Sequence, residues 1–177
     1  QWDDSTLKPS GFTLINESGS TASDAHSAAF YRVADGTEST TINVPAQSSD
    51  DYWGYYLHVT DVNPSNPINV IGSAYNGGSS GTHNVPGVTT TAANALAFYV
   101  LSGDGGDLDP YSVGGAWTEG DEIDAGTGGG NSSGTWGTRL MTSPGATGNA
   151  SVTLTAADSA SGFQFALAPA LGQGSHQ

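Results

Sequence analysis

The chain has 177 residues, enough for one domain with a real core, since roughly 70% of the unfolded surface is buried on folding near this size. Its 17 acidic residues face only Lys8, Arg32 and Arg139, a formal net charge of -14, so the surface repels nucleic acid and anionic lipid. Cysteine is absent, which excludes disulfides and thiolate metal sites, and no apolar run approaches the roughly 20 residues that would insert in a membrane as a helix.

Residues 1–11 carry no periodicity, and Pro9 with Gly11 marks a turn into the first apolar segment, so they read as an N-terminal arm. The chain opens on Gln1 rather than Met, as a processed form or a fragment does. Stretches rich in β-branched and aromatic residues then predict strands at 12–15, 27–33, 40–44, 52–60, 68–73, 85–89, 95–101, 116–123, 135–141, 150–155 and 162–168. Alternation in 151–155 and 162–167 predicts half-buried strands, whereas 95–101 is apolar throughout, as in a central strand covered on both faces. Residues 91–94 have room for one helical turn, and no window shows a sustained 3.6-residue stripe. Gly, Asn, Ser and Asp clusters at 61–67, 76–82, 103–110 and 126–134 read as loops. Strands without intervening helices predict an all-β fold, a two-sheet antiparallel jelly-roll β-sandwich with long Gly/Ser-rich loops over residues 12–169, followed by a tail at 170–177.

Several fragments in chain order resemble one another's neighbours in a known module. They are Phe12-Thr13-Leu14-Ile15, then Phe30-Tyr31-Arg32-Val33-Ala34-Asp35-Gly36-Thr37-Glu38, then Tyr56-Leu57-His58-Val59-Thr60-Asp61 leading to Asn66-Pro67-Ile68-Asn69-Val70. Val85-Pro86-Gly87-Val88-Thr89-Thr90-Thr91 before Asn94-Ala95-Leu96, Trp117-Thr118-Glu119, and Gly145-Ala146-Thr147-Gly148-Asn149-Ala150 complete the set. Together they resemble the concanavalin-like jelly-roll module of tailed-phage virion proteins and large secreted bacterial proteins, over most of residues 12–169. Two positions depart from that pattern: Phe12 replaces the usual Trp, and Ser39 stands where Pro commonly follows the Glu. The resemblance implies a module of a surface or tail protein and brings no catalytic residues with it.

Candidate chemistry is sparse. The Gly-x-Ser-x-Gly pattern occurs at 77–81 and 130–134, but it activates a serine only on a strained turn between strand and helix, and both matches lie in Gly/Ser-rich sequence. His26, His58, His83 and His176 show no motif spacing, and a phosphate loop is excluded because Lys8 is the only lysine. A glycosidase carboxylate pair could be drawn from Glu119, Asp121, Glu122 and Asp124, of which alternation puts Glu119 and Asp121 on one strand face; the alternative is a solvated strand edge or turn. Asp104, Asp107 and Asp109, with Gly105 and Gly106 between them, form either an exposed acidic turn or an oxygen set able to wrap calcium, the one cofactor the sequence raises. Tyr52-Trp53-Gly54-Tyr55-Tyr56 sends Trp53 and Tyr55 to one face and the other tyrosines to the opposite one. Trp53, Tyr55, Trp2 and Trp136 are therefore candidates for a subunit interface or a glycan-stacking surface, as well as for simple packing. Asn16, Asn131 and Asn149 head N-glycosylation sequons.

These readings lead to the expectation of a non-enzymatic structural protein of a virion surface: a head decoration, fibre or tail-surface protein. It would be a homo-oligomer bound to other assembly subunits and extracellular in location. The alternative is a secreted carbohydrate-binding or adhesion module acting on a cell-surface glycan.

Overall fold

A computed structural model describes residues 8–19, 25–45, 52–105, 111–126 and 132–171. The fold is all-β and antiparallel, with no helix among the described residues. A seven-stranded sheet dominates. Its backbone is β11 (Ala150–Leu167), 18 residues long, which pairs with β4 (Tyr75–Val85) and then β3 (Ile68–Ile71) along one edge. Along its other edge lie β7 (Ser112–Val113) and then β6 (Ala95–Asp104), followed by β9 (Ser132–Met141) and the outer strand β8 (Thr118–Ala125). Two small ladders stand apart: the hairpin of β1 (Thr13–Gly19) with β2 (His26–Tyr31), and β5 (Thr89–Thr90) with β10 (Gly145–Ala146).

Period-two alternation divides the core into two sides of this sheet. Ala95, Ala97, Tyr99 and Leu101 of β6 pack with Val85, Val152, Trp117 and Met141 on one face. Phe98 packs with Phe163, Phe165 and Ile15 on the other, beneath the β1–β2 hairpin, which makes the arrangement a sandwich. Phe98 and Phe165 stack with ring centres 5.1 Å apart, a geometry that adds about 1 kcal/mol to simple burial. The apolar run of β6 is thus a central strand buried on both faces, as its sequence predicts.

Elsewhere the structure differs from the sequence expectations, for identifiable reasons. The predicted strands 150–155 and 162–168 are one strand whose pairing with β4 shifts between Thr153 and Ala160. Its second half is buried on both faces, because Gln164, polar in the alternation pattern, is accommodated by hydrogen bonds inside the core. The cluster 76–82 is no loop but the body of β4, whose weak strand residues are held by the β11 ladder. The reading of 91–94 as a helical turn gives way to a turn closed by Asn94 at a φ of 60°, a left-handed conformation that asparagine tolerates. Of the predicted loop 126–134, residues 127–131 lie outside the described residues, and Ser132, Ser133 and Gly134 belong to β9. Most consequentially, residues 40–44 and 52–60, strand-like in sequence, join no ladder among the described residues.

Candidate functional site

Two surfaces stand out among the described residues, and the first holds the sequence-nominated aromatics. The first is built on β9, where Trp136 points to the Phe98 face and stacks with that ring at 6.4 Å. Residues 52–60 run across it in extended form. Their inward side chains are Trp53, Tyr55 and Val59: Tyr55 sits 6.0 Å from the Trp136 ring, Trp53 lies edge-on to Tyr55 at 5.7 Å, and Val59 joins the Phe98 cluster. Two glycines make this approach possible. A Cβ on Gly134 would overlap the Trp53 indole, and one on Gly120 would overlap that of Trp136.

Trp53, Tyr55 and Trp136 are consequently half-buried, forming the contact between segment and sheet. Tyr52 and Tyr56 are the outward members, 50% and 68% exposed. The Tyr55 hydroxyl and the Trp136 Nε1 are buried without a hydrogen-bond partner among the described residues. Burial pushes the Tyr55 hydroxyl up to about 12, with Asp121, Glu122 and Asp124 adding to the shift by opposing a second negative charge. Trp2 lies outside the described residues.

The outer strand β8 carries those carboxylates. Its pairing with β9 shifts between Glu119 and Asp121, so Glu119 stands opposite Gly137 and Asp121 opposite the adjacent Trp136. The bulge sends them to opposite faces, which corrects the same-face expectation for Glu119 and Asp121, and the register instead sets Glu122 opposite Thr135, on the Glu119 side. Of the calcium candidates, Asp104 is the last residue of β6, opposite Ser132, while Asp107 and Asp109 lie outside the described residues. No cluster of three metal-ligating side chains occurs among the described residues. Ser79 and Ser132, centres of the Gly-x-Ser-x-Gly matches, both stand within strands rather than on a strand-to-helix turn. Of the sequon residues, Asn16 uses its Nδ2 to donate to the Gly72 carbonyl, Asn149 is exposed, and Asn131 is outside the described residues.

The second surface follows β2. Arg32 leads into a loop in which Glu38 accepts from the Asp35 and Gly36 amides, and Asp35 accepts from the amide and hydroxyl of Thr37. Those bonds hold both carboxyls below their ordinary values. Beyond this loop, residues 39–45 are exposed, as are Val33, Ile42, Val44, Tyr52, Tyr56 and Leu57. Among the described residues, no backbone–backbone hydrogen bond involves 33–45 or 52–60. Neither 39–45 nor 52–60 contains an Asp, Glu, Lys or Arg, an absence legible in the sequence that composition-level reading passes over.

Two buried polar pairs complete the inventory, and neither was visible in the sequence. Gln164 donates from Nε2 to the Val85 and Gly148 carbonyls and accepts from the Thr147 hydroxyl at 2.7 Å, tying the end of β4 and the loop at 147–148 to β11. His83, fully buried, donates from Nε2 to the Asp158 carbonyl and accepts at Nδ1 from the Tyr75 hydroxyl, each at 3.0 Å. With both ring nitrogens engaged on structural partners, His83 clamps the irregular stretch of β11.

No family model, curated protein or solved structure matches the chain.

Proposed function

We propose that the chain is a non-enzymatic structural subunit that works by surface contact in an extracellular assembly, the surface of a virion in particular. The observation that carries this reading is the surface of the two described segments 33–45 and 52–60. Among the described residues these segments join no ladder, include the strand-like runs 40–44 and 52–60, and expose large apolar side chains at Val33, Ile42, Val44, Tyr52, Tyr56 and Leu57. Exposed apolar residues gathered on unpaired strand-like backbone are a liability in an isolated protein and an asset in one that packs against neighbours. The resemblance to a jelly-roll module of phage virion proteins supplies the kind of particle, as a head decoration, fibre or tail-surface component.

The test is recovery of the native protein from its source, with its mass determined and its co-sedimenting material imaged. Travel with a symmetric capsid, tail or filament supports the proposal, and a free monomer associated with no particle rejects it. A second reading, a secreted carbohydrate-binding module, is favoured by exposed Tyr52 and Tyr56, which offer sugar-stacking faces. Glycan binding lost in Tyr56→Ala with the fold retained would select it.

A further inference from the structure

We infer that His83 is the pin of an acid-operated hinge: on acidification residues 76–83 of β4 part from β11 locally, while the rest of the sheet stays paired. The inference goes beyond the assembly reading and stands independently of it.

The hinge is visible in the ladder. β4 pairs with β11 at 82–85 against 150–153, and again at 75–80 against 158–162, and the ladder skips residues 154–157 in between. Fully extended, residues 75 and 83 would be roughly 26 Å apart. Instead the Tyr75 hydroxyl lies 3.0 Å from His83 Nδ1, and the two rings meet edge to face at 5.9 Å. β4 is therefore sharply bent between them. His83 closes the bend, accepting from Tyr75 on one limb and donating from Nε2 to the Asp158 carbonyl across the break in the ladder. Gly77 lets the limbs meet, since a Cβ there would overlap both the Tyr75 hydroxyl and the His83 ring. At the foot of the ribbon the Tyr75 carbonyl accepts from Ser18 of β1. The ties nearer the bend are exposed: Ser80 with Thr82, and Thr82 with Thr153 at 3.4 Å.

The same strand is the one that can leave cheaply. β4 pairs with β11 alone, and residues 76–82 are Gly, Ser and Asn with one Thr, none of them in the apolar core. On its other edge β11 keeps separate partners, β7 at Val152 and Thr153 and β6 from Ala160 onward. Opening at the bend thus leaves the main sheet intact, a sub-global event of lower cost than unfolding.

Acid favours that opening. His83 is fully buried, and a proton on Nδ1 would meet the hydrogen that Tyr75 already donates there. Among the described residues the one charged group acting on the ring is Asp158 of β11, whose carboxylate also accepts from the Ser159 amide. Tyr75 of β4 and Ser18 of β1 bring polar groups without charge. Burial outweighs the attraction of Asp158 and holds the imidazole below its ordinary 6.5. In the opened ribbon the ring meets water and takes up its proton near 6.5, so the open form binds a proton that the closed form refuses.

The experiment is amide hydrogen exchange of the full chain from about pH 8 to about pH 5, corrected for the intrinsic pH dependence of exchange, with β6 and β9 as internal reference. In the wild type, opening at 76–82 should rise toward about tenfold per pH unit below 6.5 while β6 and β9 stay protected. In His83→Gln the same residues should be more open at neutral pH and flat below it. Tyr75→Phe, which keeps the imidazole, should open more readily and retain the slope. Loss of protection in β6 and β9 in step with 76–82 overturns the hinge, because the opening is then global. A flat wild-type response overturns it too, as does an unchanged slope in His83→Gln, which would assign the titration to carboxylates. Should His83→Gln fail to fold, the wild-type comparison of 76–82 with β6 decides by itself.

Discussion

At the scale of single residues, the two buried polar pairs carry the sharpest expectations. Gln164→Ala removes the donor to the Val85 and Gly148 carbonyls and the acceptor for Thr147, leaving buried groups without partners. The expected cost is about 3 kcal/mol in denaturant unfolding, larger than a simple volume loss, because orphaned buried groups add to the cavity. His83 sets a pH dependence. Burial is the main cause that lowers its pKa from 6.5, so the unfolded chain binds a proton more readily than the folded one. Its contribution to stability is therefore full above 6.5 and is lost as pH falls through the folded value. The many carboxylates add their own pH dependence, so the wild type is compared with His83→Gln: the difference between the two unfolding curves should shrink on acidification below 6.5. A difference that is constant with pH contradicts the buried neutral imidazole. Neither pair was legible in the sequence. Gln164 read as an outward polar residue, and Tyr75 and His83 share a face only once the intervening Gly- and Ser-rich residues are known to form a strand.

At the scale of elements, legibility followed burial. The run 95–101 announced a central strand because both of its faces are apolar, and β9 with the two ends of β11 followed from ordinary alternation. β4 was hidden because its stability comes from pairing with β11 across a long sequence separation rather than from its own residues. Conversely, 40–44 and 52–60 have strand composition but join no ladder among the described residues, and composition alone is blind to that. Alternation put Trp53 and Tyr55 on one face, and in the structure that face meets the sheet, where Gly134 leaves room for the Trp53 indole. Gly134→Ala should therefore displace the Trp53 indole, costing about 1–3 kcal/mol from overpacking and shifting tryptophan fluorescence toward that of exposed indole. Unchanged fluorescence and stability would contradict the seating of residues 52–60 on β9.

At the scale of the whole molecule, charge and surface act together. A net charge of -14 with three cations makes self-repulsion a standing cost to the folded state. The screening length falls from about 30 Å at 0.01 M salt to about 3 Å at 1 M, so the thermal midpoint should rise with sodium chloride over that range, and a flat response would remove charge from the account. Residues 39–45 and 52–60 carry none of those charges, and the proposed function depends on these segments being the working surface. The most direct measurement is amide hydrogen exchange at residues 40–44 and 52–58, compared between dilute isolated chain and the assembled state. Protection that appears only on assembly is the predicted result. Exchange that is equally fast in both states would contradict the central claim and move the contact surface elsewhere on the molecule.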